Sequence, residues 1–170
     1  MQHTSTGEGA AVTLRAPRNQ VSRKAIGYWT LRALGGWLVL TAIQIVWMVN
    51  SHATGPQVIG LLATALLATV HLIVMPRWRF RVHLWEATPE AVYTQSGWLN
   101  QERRIAPVSR IQTVDSERGP LEQLFGLANV TVTTASAAGP LKIDGLDYAT
   151  AQRLVDDLTT NTQATRGDAT

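Results

Sequence analysis

Two apolar stretches decide the fold: ALGGWLVLTAIQIVWMV at Ala33–Val49 and VIGLLATALLATVHLIVM at Val58–Met75. No Lys, Arg, Asp or Glu occurs between residues 33 and 75. At about 1.5 Å per residue, each stretch forms a helix of roughly 25–27 Å, close to the hydrocarbon thickness of a bilayer once flanking residues are counted. The sequence therefore predicts a transmembrane helical hairpin at residues 28–78, with spans at about 30–50 and 57–76.

Aromatic residues lie at or just outside the ends of the two stretches, as in the aromatic belts of membrane proteins. Tyr28, Trp29, Trp47 and Trp78 occupy these positions. Two alternatives remain: a pair of helices buried in a globular core, and a signal peptide cleaved near residues 51–53. A small domain rarely hides a helix on every face, and a second span follows the first at once, so the membrane hairpin is favoured.

The basic residues beside the spans predict their orientation. Up to Arg81 the chain has eight basic residues and one acidic residue, a net charge of +7; from Val82 onward it has seven basic and eleven acidic residues, a net charge of −4. The loop at residues 50–57 contains no Lys or Arg. The positive-inside rule therefore predicts a multi-pass protein of the cell membrane, with both termini and the rest of the chain in the cytoplasm. An acidic soluble part would repel a phosphate backbone, which argues against nucleic-acid binding.

A few polar and small residues lie within the spans. Gln44 and His71 have no acidic partner there, so we expect each to bond the neighbouring helix rather than a ligand. Gly60, Thr64 and Ala68 recur every four residues and form a stripe suited to close helix packing. The stripe could serve the hairpin itself or an oligomer.

A soluble domain is predicted at residues 79–160, where alternation of apolar and polar residues replaces the helical period. Pro120 and Gly126 bound a short helical turn. A final helix is predicted at residues 147–160, with Asp147 as its N-cap. The polar ends, residues 1–27 and 161–170, are predicted to be disordered. The six predicted strands lie at residues 80–85, 91–95, 98–105, 110–117, 129–134 and 141–144. The apolar face of the final helix consists of Ala151, Leu154, Val155 and Leu158.

Part of this domain resembles a known family. The strings RRIAPVSRIQ at Arg103–Gln112 and PLEQLFGLANV at Pro120–Val130 are similar to the bacterial pleckstrin-homology-like (PH-like) domain of the YdbS type. That family has a basic strand that runs into a Pro, an R-I-Q-like strand, a short L-x-x-L-F-G-L turn and a Val-rich strand, all after a membrane hairpin. The resemblance covers about residues 28–160.

The resemblance implies an α+β membrane protein. Its PH-like domain would be a curved antiparallel β-sheet, or a partly closed barrel, capped by the C-terminal helix. The eukaryotic PH fold has seven strands, one more than the six predicted here. The resemblance also implies a non-enzymatic protein that works beside a larger membrane protein with related domains.

Catalytic and metal-binding patterns are not found in the sequence. There is no cysteine, and none of the four histidines has metal-ligand spacing to another. We therefore expect no enzyme activity, no metal and no cofactor.

Two surfaces remain as candidate sites. A basic cluster could hold a phosphate or lipid headgroup through bidentate bonds; its members are Arg103, Arg104, Arg110 and Arg118. Alternatively, these arginines pair with the interleaved acids Glu102, Asp115, Glu117 and Glu122, which the negative charge of the domain favours. The candidate protein-interaction surface consists of Pro120, Leu121, Leu124, Phe125 and Leu127.

Two functions follow from these surfaces. The first is a membrane-anchored interaction module that assembles with a related membrane protein or with further copies of itself. The second is binding of anionic phospholipid headgroups through the arginine cluster.

Overall fold

The computed structural model describes residues 16–52, 54–136 and 139–167. A 3-10 turn at Val108–Arg110 joins the two sheets along the chain. In chain order the elements are β1 (Asn19–Gln20), α1 (Lys24–Asn50), α2 (Gly55–Val82), β2 (Leu84–Ala87), β3 (Ala91–Gly97), β4 (Gln101–Pro107), β5 (Ile111–Glu117), α3 (Pro120–Phe125), β6 (Leu127–Thr134), β7 (Leu141–Asp147) and α4 (Tyr148–Gly167).

The helices α1 and α2 form the predicted hairpin. They contain 27 and 28 residues, so each is roughly 40 Å long and exceeds the hydrocarbon core of a bilayer. A capping box starts α2, in which the Thr54 N–H donates to Gln57 Oε1 at 2.9 Å. Apolar side chains cover the outer faces and are exposed, for example Ile43 at 62% and Leu66 at 67%. Both helices are long and apolar enough to cross a membrane.

The strands form two antiparallel sheets. One has the order β1–β2–β3–β4 and the other β5–β6–β7. Within the described residues the two sheets do not join, so the barrel is open. Helix α4 covers the second sheet with the predicted stripe, since Ala151, Leu154 and Leu158 are buried and Val155 packs at its margin.

The first turns of α1 belong to the core of the β domain. Ala25, Tyr28 and Trp29 are buried in the same cluster as Val92 and Leu127. The extra length of α1 beyond a bilayer thickness is therefore packed against the sheets. The hairpin and the β domain share one hydrophobic core.

The seventh strand lies before the hairpin, where the sequence predicts disorder. In β1, Asn19 and Gln20 pair with Trp85 and Leu84 of β2, and Val21 next to them is buried. The hairpin is thus an insertion between the first two strands of one sheet. Residues 1–15 lie outside the described part of the chain.

The first predicted strand is wrong at its start. Phe80 and Val82 alternate with Arg81 as in a strand, but α2 continues through Val82 and β2 begins at Leu84. Adding a residue to an existing helix costs much less than nucleating a new element, so the helix propagates through this short alternation. This extension carries α2 from the apolar span into the β domain.

The remaining elements follow the prediction with shifted ends. Strand β3 continues through Gly97, whose φ is +125°, and so ends two residues later than the strand predicted at residues 91–95. Helix α3 begins at Pro120 and ends at Gly126, whose φ of 65° is left-handed, as predicted. Helix α4 extends beyond residue 160 to Gly167, and residues 168–170 lie outside the described part.

Candidate functional site at the junction of the hairpin and the β domain

Arg79 connects the hairpin to the β domain. Its guanidinium lies 4.5 Å from the centre of the Trp29 ring of α1, a cation–π distance. Its Nη2 is 3.6 Å from Asp144 Oδ2 of β7. The side chain therefore contacts α1 and β7 from its own position near the end of α2.

His83 stands directly after α2 and orients Arg79. Its Nδ1 lies 2.9 Å from the Arg79 carbonyl oxygen, and its Nε2 accepts a long bond of 3.4 Å from Arg79 Nε. The two contacts together fit a neutral imidazole with the proton on Nδ1. Burial lowers the pKa of His83, and the positive charge of Arg79 lowers it further, against smaller opposing effects of the Arg79 carbonyl and Asp144.

A second polar contact fixes α3 against α1. The Tyr28 hydroxyl donates to Glu122 Oε1 at 2.8 Å, and Asn129 Nδ2 donates to the same oxygen at 3.3 Å. Partial burial favours a raised pKa for Glu122, but hydrogen bonds from Tyr28, its own backbone and Asn129 outweigh it and lower the pKa. Glu122 therefore stays ionised and holds three elements together.

A cavity of about 530 Å³ opens beside this junction. We call it the junction cavity. It lies between α2, the turn after β3, β4 and β7. Its lining residues are His71, Met75, Arg79, His83, Thr94, Ser96, Gly97, Trp98, Glu102, Arg104, Pro140, Lys142 and Asp144.

The junction cavity has an excess of positive charge. Arg79, Arg104 and Lys142 face two acids, Glu102 and Asp144. The Arg104–Glu102 and Arg79–Asp144 ion pairs both measure 3.6 Å, longer than the roughly 2.7–2.9 Å of strong charge-assisted hydrogen bonds. Within the described part of the chain, the side chain of Lys142 has no hydrogen bond or ion pair, although its backbone pairs with β6. Such an arrangement can accept an anion.

The four arginines of the predicted basic cluster do not share this cavity. Arg104 lines it and donates to the carbonyls of Pro140 and Gly139, at 2.6 Å each. Arg103 donates to Gln95 at 2.9 Å and lies in a neighbouring groove that Arg104 also lines.

Arg110 and Arg118 lie farther along the chain, around the second sheet. Arg110 ends the 3-10 turn and is exposed. Arg118 donates to the Leu127 carbonyl at 3.0 Å and stacks at 4.0 Å over Tyr148. Neither lines the junction cavity, so Arg104 is the member of the predicted cluster that does.

The predicted interaction surface is only partly exposed. Pro120, Leu121 and Leu124 are exposed on α3, with Leu124 at 74%. Phe125 packs edge-on against Tyr28 and is half-buried. Leu127 is fully buried, because β6 begins there and turns this side chain into the core. The prediction that Leu127 belongs to the interaction surface is therefore wrong.

The polar residues of the spans bond across the hairpin, as predicted. Gln44 Nε2 donates to Thr64 Oγ1 at 2.9 Å, and Trp37 Nε1 donates to His71 Nδ1 at 3.0 Å.

The small-residue stripe faces α1, in close contact at Thr64 and across a gap at Gly60. Thr64 is buried there, and Ala68 is half-buried. Gly60 is exposed, and a Cβ on it would meet nothing within 4 Å. Gly60 lines a gap of about 140 Å³ between the helices, together with Gln44 and Met48 of α1.

Sequence reasoning missed Arg79, His83 and Lys142. The first two follow His71 and Met75 at intervals of four residues, which places all four on one side of α2 once the helix is known to continue. Lys142 gives no comparable signal, because β7 brings it to the cavity from far along the chain.

The two apolar helices and the two sheets with their capping helix define a membrane protein that carries a PH-like domain. The family model described as "Bacterial PH domain" matches residues 35–162, and the chain belongs to this family. It is also 30% identical over 156 residues to the UPF0699 transmembrane protein YdbS of Bacillus subtilis (strain 168), which covers 89% of this chain and 97% of that protein. No solved structure gives a significant match. The membrane localisation and the family expected from the sequence are thereby confirmed.

Proposed function

We propose that this protein is a non-catalytic membrane module that binds the phosphate headgroup of an anionic lipid in the junction cavity. The observation that carries this proposal is the position of three cations, Arg79, Arg104 and Lys142, on the wall of one cavity beside the end of the second span. Cationic side chains at this position suit a phosphate group.

The depth of the cavity supports a lipid ligand. Arg32 and Arg77 are the first charges on either side of the uncharged segment and mark the boundary of the hydrocarbon. Arg79 lies about 3 Å beyond Arg77 along the helix axis, inside a headgroup layer roughly 5–8 Å thick. In the proposed crossing of the membrane, this rise would put Arg79 at the level of the lipid phosphates.

The shape of the cavity favours an amphiphile over free phosphate. His71 lies about 12 Å from Arg79 along α2, on the hydrocarbon side. With Met75 and Trp98 it lines the apolar end, whereas the cations line the polar end. A lipid fits this arrangement with its headgroup beside Arg79 and its chains beside Met75.

The proposed orientation places the cavity at the cytoplasmic leaflet. The charges of +7 before Val82 and −4 after it, together with an uncharged loop, support two spans with both termini in the cytoplasm. Anionic phospholipids in that leaflet would supply the ligand.

Charge reversal at Lys142 tests the proposal. Lys142→Glu should abolish stabilisation of the full-length protein by phosphatidylglycerol, because a fixed negative charge then faces the headgroup. Ligand at 100 times its Kd stabilises a protein by about 2.7 kcal/mol, which a thermal unfolding curve in detergent resolves as a rise in Tm.

Arg110→Glu is the matched control, since it makes the same charge change outside the cavity and should respond as the unaltered protein does. Phosphatidylcholine and inorganic phosphate should not raise the Tm of the unaltered protein or of either variant. The proposal would be contradicted if phosphatidylglycerol raised the Tm of Lys142→Glu as much as that of the unaltered protein. It would also be contradicted if phosphatidylcholine raised the Tm of the unaltered protein as much as phosphatidylglycerol does.

A second candidate is docking of another membrane protein on α3. Leu121 and Leu124 are exposed on this helix, which Glu122 fixes against α1. A partner with a related domain, or a second copy of this chain, would meet α3 beside the spans. Copurification in mild detergent tests this candidate, and recovery of the chain alone as a monomer would count against it.

A further inference from the structure

The turn between β3 and β4 projects along α2 beyond the β domain. Trp78 Nε1 donates to the Trp98 carbonyl at 3.1 Å, and the Trp98 ring lies edge-on to His71, with 5.5 Å between ring centres. His71 is about 9 Å from Arg77 along the helix axis, on the side of the uncharged segment. The turn therefore reaches past the level at which the span acquires its first charge.

The tip of this turn has the composition of a membrane-facing segment. Residues 96–101 carry no charge, and the first charged side chain is Glu102 on β4. Leu99 is 85% exposed and Trp98 36% exposed. A tryptophan beside an exposed leucine at this depth is typical of the interface between headgroups and acyl chains.

The backbone fixes the shape of the turn. Gly97 has φ +125°, and a Cβ there would collide with the Asn100 carbonyl oxygen. Only glycine fits this position without a shift. The turn thus presents Leu99 in a defined place beside α2.

We infer that the turn at residues 97–100 is a third membrane-embedded element, with Trp98 and Leu99 inserted into the lipid of the leaflet that faces the β domain. The occupant of this surface is the bilayer itself, because the turn is continuous with α2 and lies at the depth of its apolar residues. The inference rests on the proposed crossing of the membrane by the hairpin. Insertion would also place Trp98, at the apolar end of the junction cavity, in contact with lipid.

Site-directed spin labelling of the full-length protein in nanodiscs tests this inference. The chain contains no cysteine, so single-cysteine variants carry one label each. Leu99→Cys is compared with Ile43→Cys, on the outer face of α1, and with Asp156→Cys, on the exposed face of α4. The measurement is the ratio of collision with oxygen, which concentrates in lipid, to collision with a water-soluble nickel chelate. Ile43 lies near the middle of its span, so the expected ratio at residue 99 is below that at residue 43 and well above that at residue 156.

A second label keeps the apolar tip intact. Asn100→Cys retains Leu99 and should also give a ratio above that of Asp156→Cys. A high collision ratio at residue 43 with low ratios, like that at residue 156, at both 99 and 100 would overturn the inference. The proposed crossing of the membrane by the hairpin would then still stand. Water-like values at residue 43 as well would instead overturn the proposed membrane crossing.

Discussion

Gly145 sets the distance between β7 and α1. Its φ is +78°, its N–H donates to Asn129 Oδ1 at 2.9 Å, and its carbonyl accepts from the Ser22 N–H at 2.9 Å. A Cβ on it would lie 2.9 Å from Ala25 Cβ and 3.5 Å from the Trp29 ring. The junction of the hairpin and the β domain therefore depends on a residue without a side chain.

Gly145→Ala should destabilise the protein for two reasons. A left-handed backbone costs an alanine about 1–2 kcal/mol, and the contact with Ala25 adds to that. Gly139→Ala is the matched control, because Gly139 has φ +75° and open space around its Cα. Denaturant unfolding of the two purified variants should give a larger loss of free energy for Gly145→Ala, and equal losses would contradict the packing argument.

His83 should make the stability depend on pH. Its pKa in the folded protein lies below the ordinary value of 6.5, so the unfolded chain takes up a proton first as the pH falls. The contribution of His83 should leave the free energy of unfolding at its maximum above about pH 6.5. Below that pH the free energy of unfolding should decrease, until the pH reaches the pKa of His83 in the folded protein. Arg79 opposes protonation, Asp144 favours it, and Lys142 lies in the same cavity.

The control for this prediction is His52, which is exposed in the loop between the helices. The decrease in free energy of unfolding between pH 7.5 and pH 5.5 should be smaller in His83→Gln than in His52→Gln. The prediction fails if both variants lose the same amount.

At the scale of elements, α3 has an exposed apolar surface, and the hydrogen bond between Glu122 and Tyr28 fixes this helix against α1. If a partner docks on α3, as the second candidate function proposes, Leu124→Asp should reduce its copurification in mild detergent. Tm should not fall, because Leu124 is 74% exposed and makes little contribution to the core. Gln112→Asp places the same charge at an exposed position of β5 and serves as the control. Unchanged recovery of the partner with Leu124→Asp would exclude α3 as the docking surface.

Elements with a strong local pattern were predictable from the sequence. The spans, α3 and the strands from β3 to β7 show apolar periodicity or turn residues within a few positions. β1 has only two residues, and Asn19 pairs with Trp85 across the whole hairpin, so no local pattern indicates it. The end of α2 was mistaken because residues 79–82 alternate as a strand would while they extend a helix that is already formed.

At the scale of the whole molecule, the hairpin is inserted into a sheet rather than attached to one end of a domain. Both of its helices enter the β domain, α1 through Trp29 and α2 through Arg79 and His83. A change in the tilt of α2, which supplies His71, Met75 and Arg79 to the wall, would therefore change the junction cavity directly. The hairpin and the β domain are therefore coupled through one shared core.

The composition of the cavity could not be predicted from the sequence alone. Arg79, Arg104 and Lys142 come from α2, β4 and β7, and only the tertiary structure brings them together. The sequence offered a phosphate site only as the less favoured alternative to pairing with acids, and it grouped arginines that are near one another along the chain. Arg103 and Arg104 point to different partners because successive residues of a strand face opposite sides.

The central claim is that the hairpin crosses the membrane twice and keeps the β domain on the cytoplasmic side. Ser51→Cys in the loop and Asp156→Cys on α4 test it, with a membrane-impermeant maleimide applied to intact cells and then to lysed cells. We predict that Ser51→Cys reacts in intact cells, whereas Asp156→Cys reacts only after lysis. Labelling of Asp156→Cys in intact cells, or failure of Ser51→Cys to react until lysis, would contradict the account.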